Sequence, residues 1–382
     1  MKSPLIRPGR FLAGLVAVAA SVAMADAAAQ VWSVHWHACP GANRTDALHR
    51  DVNGRLWVGC GTNATGYGLF HSDNGGATWR AAAVQPANAF AQFRVNSISR
   101  GHDGSLQVAG FEAGTRNMVM RVDTATTPFT VTPTLTGVAT AGFQFHVGSY
   151  RELGDGRAIA EALNGNDLLY RPTAATGANA SLWTAAGFNV QVLDLVVHGD
   201  RFYGSGSRNI EPPRVFLPPT SAGSPPHQLQ ALDLQPSGGW RGELWALAVN
   251  GGGLVAVGVD QDDAIGKIFV SGSDPGVAAA YTEHSISAIT GDTRSWARGV
   301  CKAGSRIVVV GERQPLASGG GRVLLSDDGG ARFSAITPAG VSNSVTRCVI
   351  EPDGTIVVAG AAGFVGVRSD PDWIFRDEFE RP

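Results

Sequence analysis

One apolar phrase returns along most of the chain: a first strand of alternating or continuous apolar residues, a glycine-containing turn, and a second, more hydrophobic strand. It reads ALHRDVNGRLWVGCG from Ala47, VNSISRGHDGSLQVAG from Val95, FHVGSYRELGDGRAIAEA from Phe145 and VLDLVVHGDRFYGSG from Val192. Three more copies are LWALAVNGGGLVAVG from Leu244, ARGVCKAGSRIVVVG from Ala297 and VTRCVIEPDGTIVVAG from Val345. Helical repeats would place apolar residues three and four apart, and these segments do not.

The turn glycines fall at Gly54, Gly104, Gly156, Gly199, Gly252, Gly304 and Gly354, in steps of 50, 52, 43, 53, 52 and 50 residues. A period of this size marks propellers and related arrays, and each unit has room for four strands of about five or six residues. The pattern therefore predicts an all-β fold: a single seven-bladed β-propeller of four-stranded antiparallel blades, spanning residues 30–375, with six blades as the alternative count. In the first blade, strands A to D are expected at Ala47–Arg50, Arg55–Cys60, Gly68–Ser72 and Thr78–Ala83. The last copy is short after Gly360, and a propeller must close or leave an exposed sheet edge. The alternating segment Val31–Trp36, ahead of the first A strand, is the candidate closing strand. A proline-rich stretch from Glu211 to Gln228 reads as a loop of the fourth blade.

Composition sharpens this picture at three points. Fifty glycines with few Lys and Glu favour short strands joined by turns. A formal net charge of −2, with no basic run, lacks the electrostatic footprint of a nucleic-acid binder. At the N-terminus, Lys2, Arg7 and Arg10 precede an apolar run from Phe11 to Met24, and Ala27-Ala28-Ala29 offers a cleavage site. Residues 1–29 are thus expected to be a secretory signal peptide, too short to span a bilayer comfortably, with the mature chain secreted or periplasmic and not membrane-embedded. An even set of four cysteines in an exported chain suggests two disulfides, with Cys39–Cys60 and Cys301–Cys348 the favoured pairing.

The segment Ser72-Asp73-Asn74-Gly75-Gly76-Ala77-Thr78-Trp79 resembles the Asp-box turn of sialidase-like and other BNR-repeat propellers, S-x-D-x-G-x-T-W. Ser326-Asp327-Asp328-Gly329-Gly330-Ala331-Arg332-Phe333 is a second match, and partial versions stand at Ser271–Gly276 and Ser369–Trp373. Asn74 replaces the family's Asp in the first box; Arg332 and Phe333 replace Thr and Trp in the second. The resemblance implies a structural turn on the face away from the ligand site, carried by Ser72, Asn74, Gly76 and Trp79 and by Ser326, Asp328, Gly330 and Phe333. Sialidases of this family also carry an early F/Y-R-I-P motif, which is absent here.

Ligands of propellers meet the face formed by D-to-A and B-to-C loops. On that register the starts of A strands offer Asp46, Asn96, His146, Asp194, Glu243, Trp245, Arg298 and Arg347, and the ends of B strands offer Glu112, Glu161, Asp260 and Glu312. Trp296 lies beside them, and His146, Trp245 and Trp296 are the ligand-binding candidates. Glycoside hydrolysis needs two carboxyls at a defined separation with one held protonated, which this set could supply. The commoner role of such charges is to pair with one another or face water. No H-x-x-x-H, C-x-x-C or EF-hand spacing announces a metal, and no cofactor motif is present. The sequence thus points to an exported, monomeric, non-catalytic binding or scaffolding propeller for a protein or glycan, with a sialidase-like, exo-acting glycoside hydrolase as the alternative. Residues 376–382 are expected to form a short acidic-aromatic tail.

Overall fold

The computed structural model describes residues 32–40, 45–61, 68–136 without 113–116, 147–172 without 163–166, 184–185, 191–207, 211–315 without 222 and 252, and 320–370. The expected signal peptide, the C-terminal tail, Val31, His146 and most of the Ser369–Trp373 partial box lie outside the described residues.

Seven sheets of sequential antiparallel strands form the blades of a propeller, each with its A strand innermost. The A strands are Thr45–Arg50, Phe93–Arg100, Val147–Glu152, Val192–His198, Gly242–Asn250, Ser295–Ala303 and Val345–Ile350, in blades 1 to 7. Blade 2 gains a fifth strand, because Val84–Gln85 pairs in parallel with its outer strand Phe129–Thr136. Blade 7 takes its D strand from the other end of the chain: Trp32–His35 runs antiparallel to Val365–Arg368, with Trp32 opposite Arg368 and His35 opposite Val365. The expected closing strand is therefore in place and the ring has no free edge at this seam. In blade 4 the structure differs from the expected single loop: Arg214–Leu217 within the proline-rich stretch forms strand C, and the prolines flank it. Pro212 and Pro213 precede the ladder and Pro218 and Pro219 follow it, so none removes a donor from it.

The B strands show why their sequences are continuously apolar. Successive side chains point to opposite faces, and here both faces meet a neighbouring blade. In Gly253–Asp260, Leu254 and Ala256 pack toward blade 4, while Val255 and Val257 pack toward blade 6. Val308 and Val310 likewise face blade 7, whereas Ile307 and Val309 face blade 5. The buried apolar residues thus fall into seven clusters, one per seam, and the core is a ring around a central channel.

Asp51, Gly101, Leu153 and Glu351 each open an A–B turn of one pattern: residue one accepts from the glycine three later and donates to the residue after it. The glycines of these turns, Gly54, Gly104, Gly156 and Gly354, sit at φ of 81–83°, where a side chain is strained. The two box-like C–D turns share one hydrogen-bond set. Ser72 Oγ donates to Asn74 Oδ1 and accepts from Gly76 N, and Asn74 Oδ1 also accepts from Thr78 N. Ser326, Asp328, Gly330 and Arg332 repeat all three bonds, so Asn and Asp are interchangeable at this point. Ser271–Gly276 does not: Ser271 Oγ instead accepts from Leu254 N. The second residue of each box, Asp73 and Asp327, receives the Nε of an arginine at the start of its B strand, Arg55 at 2.5 Å and Arg306 at 2.7 Å.

Both disulfides join the expected partners, Cys39 to Cys60 and Cys301 to Cys348, with Cα separations of 5.7 and 6.0 Å. The first ties the chain just after the closing strand to strand B of blade 1; the second joins the A strands of blades 6 and 7. Two disulfides fit an oxidising compartment, extracellular or periplasmic. Among the described residues no helix is long and apolar enough to cross a membrane. Loop-closure entropy for spans of 21 and 47 residues gives stabilisations of about 3 and about 4 kcal/mol. Replacing Cys39 and Cys60 together by Ser should lower the unfolding free energy in denaturant by about the first amount, and replacing Cys301 and Cys348 by about the second. Unchanged midpoints in both double variants would show that the bridges do not restrain the ring.

Candidate ligand-binding face

Every A strand breaks its ladder to strand B near its start. The interruptions lie between Thr45 and Ala47, Val95 and Ser97, Val147 and Tyr150, Val192 and Asp194, Leu244 and Ala246, Ala297 and Gly299, and Val345 and Arg347. A bulge leaves one residue outside the ladder and re-aims its side chain. The residues so released include Asp46, Asn96, Trp245 and Arg298, four of those the sequence places at this face. The bulge thus provides a repeated device for presenting side chains at the start of the channel.

Between blades 5 and 6 the candidates converge. The Arg298 guanidinium carbon lies 4.4 Å from the Trp245 ring centroid and 4.3 Å from that of Trp296. The two indoles meet edge to face at 5.5 Å. Glu312, buried at the end of strand B, accepts from Arg298 Nε at 3.1 Å and Nη2 at 2.7 Å, and from Gln314 Nε2 at 2.8 Å. Glu243 fixes the other indole, accepting from Trp245 Nε1 at 2.7 Å. Both tryptophans remain half-buried, so each ring keeps an accessible surface. A guanidinium packed against two roughly perpendicular indoles, with a buried carboxylate accepting from its Nε and Nη2, gives a platform that is apolar in its walls and cationic at its centre.

The other candidates scatter. Asp46 accepts from Arg94 at 3.4 Å, and Asn96 donates to the Val147 carbonyl at 2.9 Å. Asp260 holds its own B–C turn through the amides of Asp262 and Asp263 and stands 3.9 Å from Lys267. Glu112 ends strand B of blade 2 opposite Phe93, and its side chain is outside the described residues. Arg347 donates to the Thr346 carbonyl at 2.9 Å and lines the channel.

Glu161 and Asp194 form the remaining group. Asp194 accepts from Ser149 Oγ at 3.1 Å and Leu195 N at 2.9 Å, and lies 3.6 Å from Arg151. Glu161 is buried; burial, then the Asp194 charge, push its carboxyl well above the ordinary range, against backbone donation from Gly148 and Ser149. Glu161 Oε2 has no hydrogen-bond partner among the described residues.

The sequence reading missed Arg151, His49 and Lys302, which line the channel from the later part of their A strands. Only a charged residue in the second half of an innermost strand marks them, and that signal needs the strand assignment first. Among the described residues, no three His, Cys, Asp or Glu side chains gather to hold a metal ion.

No protein-family model matches the chain, and no curated protein matches it. Solved structures do. YCF48 bound to D1 peptide superposes with a TM-score of 0.59 at 15% identity, over 89% of this chain and 95% of that one. An inactive variant of virginiamycin B lyase from Staphylococcus aureus with quinupristin gives 0.60 at 11%, over 89% and 99%. The WD40 propeller domain of Doa1 gives 0.54 at 14%, over 89% and 97%. At these identities the likeness establishes the class, a seven-bladed β-propeller, and leaves activity to the site.

The upward shift of Glu161 has a stability consequence. Its folded-state pKa lies above the unfolded one, so the folded state binds the extra proton. That contribution is complete below the ordinary carboxyl range and is lost as pH rises through the raised value. Glu161→Gln keeps the neutral form at every pH. Thermal unfolding at about pH 4 should match wild type, and the variant should become relatively more stable toward about pH 8. Parallel curves for the two proteins across that range would contradict a raised Glu161.

Proposed function

We propose that this chain is an exported, non-catalytic binding propeller that recognises a protein or glycan through the Trp245–Arg298–Trp296 platform on the D–A and B–C loop face. The observation that carries this reading is the pre-set geometry of the platform: two indoles, a guanidinium locked by Glu312, and half-buried ring faces. Trp and Arg dominate binding energy at interfaces because they combine large contact area with directional polar groups. Indole faces also suit the apolar faces of sugar rings. The relatives by fold support a binding role, since YCF48 is seen with a bound peptide and WD40 propellers share the architecture.

Export is supported by the charged-then-apolar N-terminus with its alanine triplet and by two disulfides. The box-like turns support kinship with BNR-repeat propellers, and their bonds to their own backbone make them structural parts of the opposite face.

The mature protein displayed on glycan and peptide arrays should retain a defined ligand subset. Trp296→Ala should weaken that binding at least tenfold, the loss of about 1.4 kcal/mol expected for a binding hot spot. Binding that survives the substitution unchanged places recognition elsewhere.

The hydrolase alternative has one observation in its favour: a buried acid, Glu161, whose carboxyl burial and the neighbouring Asp194 push well above the ordinary range, as in the raised acid of a glycosidase pair. Glu161 does not line the channel, however. A panel of aryl glycosides, sialosides included, should show no turnover by the mature protein; turnover lost in Asp194→Asn would establish the enzyme reading instead.

A further inference from the structure

The channel inside the ring is a cavity of about 690 Å³ walled by all seven A strands. Its described lining reaches the A–B turns through Gly101, His102 and Gly154, and includes no residue of a D–A or B–C loop. It runs from the level of the bulges, where Asn96 and the platform's Trp245 line it, to the A–B turns of the opposite face. The volume is that of a metabolite-sized site, for which about 300–1,000 Å³ is usual.

The walls are mostly aliphatic, and the charges set among them do not balance. Two carboxylates line the channel, Glu152 and Asp194. Glu152 is already engaged by Arg171 at 2.9 Å, His102 at 2.5 Å and the Tyr150 hydroxyl at 3.3 Å. Asp194 is held by Ser149, by the Leu195 amide and by Arg151. Glu161, whose carboxyl burial and the Asp194 charge push upward, is not among the residues lining the channel.

Against these stand Arg151, Arg347 and Lys302, with Arg100 at the lower rim. Arg347 and Lys302 have no carboxylate within ion-pair distance among the described residues; their polar partners are backbone carbonyls, Thr346 for one and Asn250 and Gly304 for the other. Burial weakens the hold of Lys302 on its proton, and Arg151 experiences both burial and the like charge of Arg347. His49 registers the same field: burial, then Arg151, push it down to about 4. Like charges desolvated beside one another are relieved by an incoming anion.

We propose that the central channel binds a small oxyanion-bearing ligand, a carboxylate or phosphate of metabolite size, admitted from the A–B turn face and held by Arg347, Arg151 and Lys302. The oxyanion completes the charge balance that Glu152 and Asp194 leave open, and the aliphatic wall from Ile98, Val197, Leu247 and Val300 receives the ligand body. Trp245 lines both this channel and the platform, but the cations differ: Arg347, Arg151 and Lys302 here, Arg298 there.

Isothermal titration of the mature protein with citrate, with inorganic phosphate and with neutral glucose tests it. Saturable binding of citrate or phosphate, and none of glucose, is expected; citrate alone identifies a carboxylate ligand, phosphate alone a phosphorylated one. Arg347→Gln should weaken the binding tenfold or more. It leaves no carboxylate unpaired, so the fold should persist, and Arg347→Lys should restore most of the affinity. Lys302→Gln provides a second, separate loss should Arg347→Gln fail to fold. Arg201→Gln, an exposed charge beside the A–B turn of blade 4, should bind as wild type. The proposal is overturned by the absence of saturable binding of either acid, by unchanged affinity in Arg347→Gln and Lys302→Gln, or by an equal loss in Arg201→Gln.

Discussion

Ring closure is the constraint on which the rest of this molecule depends. Six blades are built from consecutive chain, and the seventh is completed by pairing Trp32–His35 with Val365–Arg368, more than three hundred residues away in sequence. The seam is reinforced from several directions. Thr45 Oγ1 donates to the Gly360 carbonyl at 2.7 Å, and Thr346 Oγ1 donates to the Thr45 carbonyl at 2.8 Å. Trp32 Nε1 reaches across to the Ile336 carbonyl of blade 6 at 2.7 Å. The Cys39–Cys60 bridge then fixes the closing segment to blade 1. With closure secured, each blade meets two neighbours, every B strand is buried on both faces, and the channel has a continuous wall.

That wall explains how a repetitive scaffold carries unlike chemistry at its two ends. The bulge near the start of each A strand frees side chains toward one face, where a tryptophan pair clasps an arginine. Further along the same strands, unreleased positions point charges into the channel, and cations outweigh the available carboxylates. The outer turns contribute neither. Their Ser and Asx side chains are used up on turn amides, and Asp73 and Asp327 hold arginines at the roots of the B strands. Gly76 and Gly330 are required where the turns meet the preceding blade: a Cβ there would lie 3.1 Å from Val367 and 2.7 Å from Val270, at φ of 92° and 94°.

The fold was largely legible because its determinants are local and repeated. Glycine turns at a fifty-residue period, apolar B strands and the alternating Val31–Trp36 segment led to seven blades, their strand order and the closing strand. In the turn of blade 5, Gly251 takes the left-handed conformation, at φ 59°, and Gly252, to which the pattern points, lies outside the described residues. Strand C of blade 4 was hidden by its flanking prolines. The site was legible only as a set of residues. Which of them meet depends on bulges that add one residue to a strand, and no composition or period announces a bulge. Trp245, Trp296, Arg298, Glu243 and Glu312 come together because two adjacent strands bulge at the same level. Asp46 and Asp260, equally prominent in sequence, are absorbed by local pairs.

Hydrogen exchange read by mass spectrometry on the intact protein addresses closure most directly. The peptide containing Trp32–His35 should show slow exchange comparable with that of Val365–Arg368, its ladder partner, and with the inner strands of the other blades. Exchange of the N-terminal peptide at the rate of an unpaired chain end, with the rest of the ring protected, would contradict the account.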